Sequence, residues 1–198
     1  MRARRVRRWP RGAAFAAALL AAAVVSGCGS GDPQDSNEPE GTFPVEVSKA
    51  RFPRLQGLGE TVRFSVTVRN PGSETVPNVA MTVDGFANPD AVPGAADPQR
   101  PIWIVNVGPY GGKTAYVNTW ALGPLKPRQS RTFTWSVTST VPGTHTVSYR
   151  AAGGLHGNAR AVAEGGGVPG GAVTARVTRR PRESTVDPET GAVIYGTE

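Results

Sequence analysis

Several residue sets in this chain of 198 residues have types and spacings that could do chemistry. Gly108-Pro109-Tyr110-Gly111-Gly112-Lys113-Thr114 carries the glycines, lysine and hydroxyl of a phosphate-binding loop. Such a loop needs a further glycine five positions before the one that precedes its lysine, so that successive N–H groups wrap the phosphate, and a helix after it. That position is Val107, and residues 114–122 alternate as a strand, so no phosphate-binding loop is expected here. His145 and His156 are the only two histidines. Neither lies in H-E-x-x-H or has a second ligand at zinc spacing, and no serine sits in G-x-S-x-G. Asp32, Asp35, Glu38 and Glu40 form an acidic run without the spaced ligands and glycine of a calcium loop. The expectation is a non-catalytic protein without metal or cofactor. Two candidates remain. In TAYVNTWAL, read as one strand, Tyr116, Asn118 and Trp120 share a face that could stack on a sugar ring and hydrogen-bond its hydroxyls, although such aromatics are more often packing residues. Cys28 is the single cysteine and so has no internal disulfide partner.

The surroundings of Cys28 give its thiol a use. Arg2, Arg4, Arg5, Arg7, Arg8 and Arg11 precede an uncharged run, Ala13 to Val25, that ends in the small residues Ser26 and Gly27. This is the layout of a secretory signal, and at thirteen residues the run falls short of the roughly twenty that cross a bilayer. Val25-Ser26-Gly27-Cys28 resembles the lipobox of bacterial lipoproteins: an aliphatic residue, two small ones, then cysteine. The resemblance covers the signal peptide alone. It implies cleavage between Gly27 and Cys28, with Cys28 lipidated on sulfur (diacylglyceryl, carrying palmitate-type chains) and often acylated on its new amino group. Two or more chains, at about 0.8 kcal/mol per buried CH₂, anchor a protein firmly. The implied location is the extracytoplasmic face of the cell membrane.

Removing the signal changes the charge argument. The whole chain is +7 with a pI near 10.3, which would suit nucleic acid. Without the six leading arginines, 16 Lys and Arg face 15 Asp and Glu, a net charge of +1. The nucleic-acid reading loses its main support.

Beyond the anchor, residues 28–44 are acidic and almost free of apolar side chains, and read as a flexible tether. From Val45 the pattern becomes period two. In Thr61 to Asn70, Val62, Phe64, Val66 and Val68 alternate with Arg63, Ser65, Thr67 and Arg69, as in a half-buried antiparallel strand. Asn70-Pro71-Gly72-Ser73 signals a turn, and Val79, Met81 and Val83 resume the alternation as a hairpin partner. Further strands are expected at 45–51, 102–107, 114–122, 130–140, 144–151 and 172–178. About seven or eight short strands with Gly and Pro turns and no helical period predict an all-β antiparallel sandwich over 45–179. A core of that size needs no disulfide.

LGETVRFSVTVRNPGSETVPNVAMTVDGF, LGPLKPRQSRTFTWSVT and THTVSYRAAGG resemble the immunoglobulin-like repeat domains of bacterial surface proteins, of the CARDB and DUF11 type. Arg128 stands where those domains usually place glycine. The resemblance implies an extracytoplasmic module for adhesion, spacing or partner binding, and brings no site residues with it. Two long loops, 85–101 and 153–171, are candidates for recognition or plain flexible linkage, and 180–198 reads as a mostly disordered tail. The functional expectation is a lipid-anchored binding or spacing module of the envelope. The alternatives are a glycan-binding protein using Tyr116, Asn118 and Trp120, or an accessory subunit of an envelope membrane complex.

Overall fold

The computed structural model describes residues 37–87, 96–97, 100–181 and 183–195. The lipobox and the first two acids of the run, Asp32 and Asp35, lie outside the described residues. Among the described residues fourteen strands succeed one another: β1 Gly41–Pro44, β2 Glu46–Arg51, β3 Leu55–Gln56, β4 Thr61–Arg69, β5 Ala80–Asp84, β6 Trp103–Val107 and β7 Lys113–Tyr116, then β8 Thr119–Ala121, β9 Ser130–Ser139, β10 Gly143–Ala152, β11 Ala159–Val162, β12 Gly170–Val177, β13 Ser184–Val186 and β14 Val193–Tyr195. Among the described residues there is no helix, and so none long and apolar enough to cross a membrane.

Two sheets build the body. One has the order β2-β4-β9-β6 and the other β3-β12-β10-β5-β8-β7. With β2, β4, β5, β6, β9, β10 and β12 taken as strands A to G, the first sheet is ABED and the second contains CFG, the order of an immunoglobulin constant-type sandwich. The expected all-β immunoglobulin-like fold is therefore what the chain adopts. Two features extend it. The first strand switches sheets after β2, so that β3 pairs parallel to β12. A hairpin, β7-β8, comes after strand D and docks on the free edge of β5.

Alternation explains the core. On β4, Val62, Phe64, Val66 and Val68 point inward, and on β9 Phe133, Trp135 and Val137 do the same. Phe64 packs against Phe52, Phe86, Trp135 and Tyr149 with ring centroids 5.2–5.9 Å apart. Several buried polar groups are matched, whereas Trp135 Nε1 has no hydrogen-bond partner. Trp103 Nε1 donates to Gln56 Oε1 at 2.8 Å, and Gln56 Nε2 donates to the Pro53 carbonyl at 2.8 Å. Asn70 Nδ2 donates to the carbonyls of Glu74 and Leu125 at 2.7 and 2.9 Å, while its Oδ1 accepts the Gly72 N–H at 2.9 Å. Asn-Pro-Gly is thus a turn, as expected.

Several sequence expectations are corrected. β4 and β5 form no hairpin: β2 and β9 occupy both edges of β4, and β5 pairs with β10 and β8 in the other sheet. The end of the expected tether 28–44 is part of the fold: β1 pairs in parallel with β11, and Phe43 and Val45 are buried. The glycine-rich loop 153–171 accordingly contains a strand rather than flexible linkage alone. Residues 184–195 form a hairpin, β13-β14, whose turn is fastened by Asp187 Oδ1 accepting the N–H groups of Glu189 and Thr190 at 2.8 and 3.1 Å. Those N–H bonds hold the Asp187 carboxyl below its ordinary pKa. The tail is thus partly ordered, which polar alternation over only three residues a side did not signal.

Candidate binding surface

Cys28 and Gly27 lie outside the described residues. The aromatic trio does not keep the common face that a single strand would give it. Residues 113–121 are two strands, with Tyr116 paired to Thr119 across a turn at Val117 and Asn118. Asn118 takes φ 58°, a left-handed conformation that asparagine tolerates better than most residues. Trp120 is turned into the core, edge-on to Trp135 at 5.4 Å, whereas Tyr116 is 47% exposed. The structure therefore separates one ring as packing and the other as surface. The cause is the Val-Asn turn, which strict alternation through TAYVNTWAL conceals.

The glycine-rich run at 108–114 is a turn closed by the Gly112 N–H donating to the Pro109 carbonyl at 2.9 Å, and it enters β7 rather than a helix. His145 is tied by Nε2 to the Val141 carbonyl at 3.0 Å and lies edge-on to Trp103 at 5.6 Å. Among the described residues no three His, Cys, Asp or Glu side chains form a group able to hold a metal ion.

A built polar site appears at a residue that sequence reasoning assigned to the tether. Glu38 is buried, and its carboxylate accepts the N–H of His156 at 2.7 Å and that of Ala159. Burial would raise its pKa, but N–H bonds from Ala159, His156, Leu155 and Asn158 together outweigh it and hold the group below its ordinary value. This is a nest of backbone donors around an anion. Gly154 makes room for it: a Cβ there would overlap the carboxylate. The Gly41 N–H donating to the Asn158 carbonyl at 3.1 Å, and the Val45 N–H to that of Val162 at 2.9 Å, extend the attachment along β1. The start of the domain is therefore latched to the loop between β10 and β12. The only signals in the sequence were the paired glycines 153 and 154 and an acid placed among prolines.

Five apolar side chains stand exposed on strands and turns. Ile104 and Val107 on the edge strand β6, Tyr110 in the turn after it, and Tyr116 and Val117 on the hairpin are all exposed, Tyr110 fully and Val117 at 88%. Exposed apolar groups on loops and sheet edges are places where a partner can dock.

Comparison with known proteins gives fold neighbours only. No family model matches the chain, and no curated protein matches it. Among solved structures, a CARDB domain from Pyrococcus furiosus, crystallised in complex with di-metal ions, is 17% identical, with 69% of this chain and 86% of that one covered and a TM-score of 0.41. Native alpha-2-macroglobulin from Escherichia coli, from domain MG7 to the C-terminus, is 15% identical, with 76% of this chain and 21% of that one covered and a TM-score of 0.45. The assignment of the fold rests on the strand order of the two sheets.

Proposed function

We propose that the chain is a bacterial lipoprotein whose sandwich works at the extracytoplasmic face of the cell membrane as a non-catalytic binding or spacing module. The observation that carries this is Val25-Ser26-Gly27-Cys28 at the end of an arginine-led apolar run of thirteen residues. The latch gives the spacing idea physical content. With Glu38 pinned, ten residue steps separate Cys28 from the folded body, a reach of at most roughly 35 Å at about 3.5 Å per residue. A tether running to residue 44 would reach well beyond that. Intact mass of the protein extracted from membranes tests the reading: a chain beginning at Cys28 with added acyl mass supports it, and a chain that retains residues 1–27 or begins at an unmodified Cys28 overturns it.

The accessory-subunit alternative is favoured by the exposed Ile104, Val107, Tyr110 and Val117. Under that reading, co-purification with an envelope complex is lost in Tyr110→Ser combined with Val117→Ser.

A further inference from the structure

Although residues from Cys28 onward carry a net charge of only +1, their cations are not evenly spread. A groove of about 1210 Å³ lies where the chain crosses from β2 to β3, and Arg51, Arg54, Arg63 and Arg176 line it. A second groove shares Thr144 and Arg176 with the first and adds Arg179 and Arg180. All six arginines are exposed, and none makes an ion pair with a carboxylate of the described residues. No acidic side chain among the described residues lines either groove.

Strand register shows how the cations are placed. Arg51 on β2 lies beside Ser65 on β4, and Ser65 beside Thr134 on β9, which makes a row of one guanidinium and two hydroxyls across the outer face. At the sheet crossing, the Arg176 N–H donates to the Arg54 carbonyl at 2.7 Å, and Arg176 pairs with Thr144. Guanidinium forks match phosphate oxygens bidentately, and hydroxyls between them suit the alcohols of a polyol or sugar. Among the described residues the lining holds one aromatic ring, Phe52, and it packs edge-on against Phe64 and Trp103 at 5.3 Å. Single-stranded nucleic acids bind on stacking platforms, which are absent from this lining.

We infer that the joined grooves bind a flexible phosphodiester polymer of the polyol-phosphate or sugar-phosphate kind. Resting on the lipid-anchor reading, the position favours a polymer over the headgroups of the anchoring membrane. The latch lies just beyond the Ala152 end of β10 and the second groove at its Gly143 end, about 30 Å apart at roughly 3.3 Å per residue, while the first groove reaches back to Ala172, opposite Ser148.

The test is binding of poly(glycerol phosphate) to the full chain purified in detergent, read by titration at several salt concentrations. Six contacts, each contributing about 0.7 to the slope of log affinity against log salt, weaken binding roughly 300-fold between 50 and 200 mM salt. Arg51→Gln, Arg63→Gln and Arg176→Gln together reduce that salt effect to about 20-fold, while Arg160→Gln, on β11 near the latch, leaves it unchanged. If the triple variant fails to fold, Arg63→Gln alone lowers the slope by about 0.7. Unchanged affinity and slope in these groove variants overturn the inference. So does equal affinity for polyglutamate, or tighter binding to oligo-dT or to phosphatidylglycerol vesicles. Cys28→Ser leaves polymer binding intact, so the anchor and the groove fail separately.

Discussion

Glu38→Ala should free the start of the domain without unfolding its core. The carboxylate accepts at least two backbone N–H bonds, from His156 at 2.7 Å and from Ala159. A hydrogen bond to a charged group contributes about 1.5–3 kcal/mol, and a buried donor left unpaired costs about 1–3 kcal/mol. The His156 side of the nest is exposed and can rehydrate, whereas Ala159 is 2% exposed and cannot without movement. The expected loss is about 3 kcal/mol, capped by the free energy that holds β1 in place. At 1.4 kcal/mol per decade this raises local opening roughly a hundredfold. The assay is amide hydrogen exchange at Gly41, Val45 and Ala159, with Val66 in β4 as the internal reference. Exchange at the first three should accelerate about a hundredfold while Val66 stays protected. Because the folded pKa of Glu38 lies below the ordinary 4.5, the latch is at full strength above that pH. It weakens as pH falls through the lower folded value, so acid should reproduce the substitution in the unaltered chain. Unchanged exchange at Val45 in Glu38→Ala, or release on raising rather than lowering pH, would mean that Glu38 does not hold β1.

Gly154→Ala should give the same selective loosening, since its Cβ would occupy the space of the Glu38 carboxylate; protection of Val45 equal to that of the parent would contradict this. Trp120→Ala should cost about 3–5 kcal/mol in denaturant unfolding and Tyr116→Ala less than about 1 kcal/mol, because one ring is core and the other surface. Equal costs would restore the single-strand arrangement of 114–122. Arg128→Gly should stabilise by about 0.5–1 kcal/mol, raising Tm by roughly 1–4 °C. Arg128 sits at φ 64° in a turn whose Gln129 N–H donates to the Lys126 carbonyl at 3.1 Å, with Pro127 before it. That is the type II pattern, which favours glycine at this position.

How legible each part of the fold is in the sequence depends on how that part is stabilised. β4, β9 and β10 bury one face and expose the other, so Val62 to Val68, Phe133 to Val137 and Val147 to Ala151 write their alternation into the sequence. Sheet membership is not legible: Val79, Met81 and Val83 show the same alternation whether β5 pairs with β4 or with β10. The hairpin at Val117-Asn118 is hidden because its turn residues preserve period two. Arg128 departs from the glycine of the resembling domains, yet the structure keeps the glycine conformation with an arginine in it. The latch escapes sequence reasoning because its donors are backbone N–H groups, which no side-chain pattern records. The arginine groove escapes it because Arg51, Arg63 and Arg176 are far apart in sequence and meet only when the first strand crosses between sheets.

Lipid on Cys28 is the proposed link between the sandwich and a membrane. Labelled palmitate fed to cells making the full chain, followed by separation of membrane and soluble fractions, tests it most directly. Label on the protein in the membrane fraction, lost with release to the soluble fraction in Cys28→Ser, is the predicted result; label that persists on Cys28→Ser, or an unlabelled soluble parent chain, would contradict it.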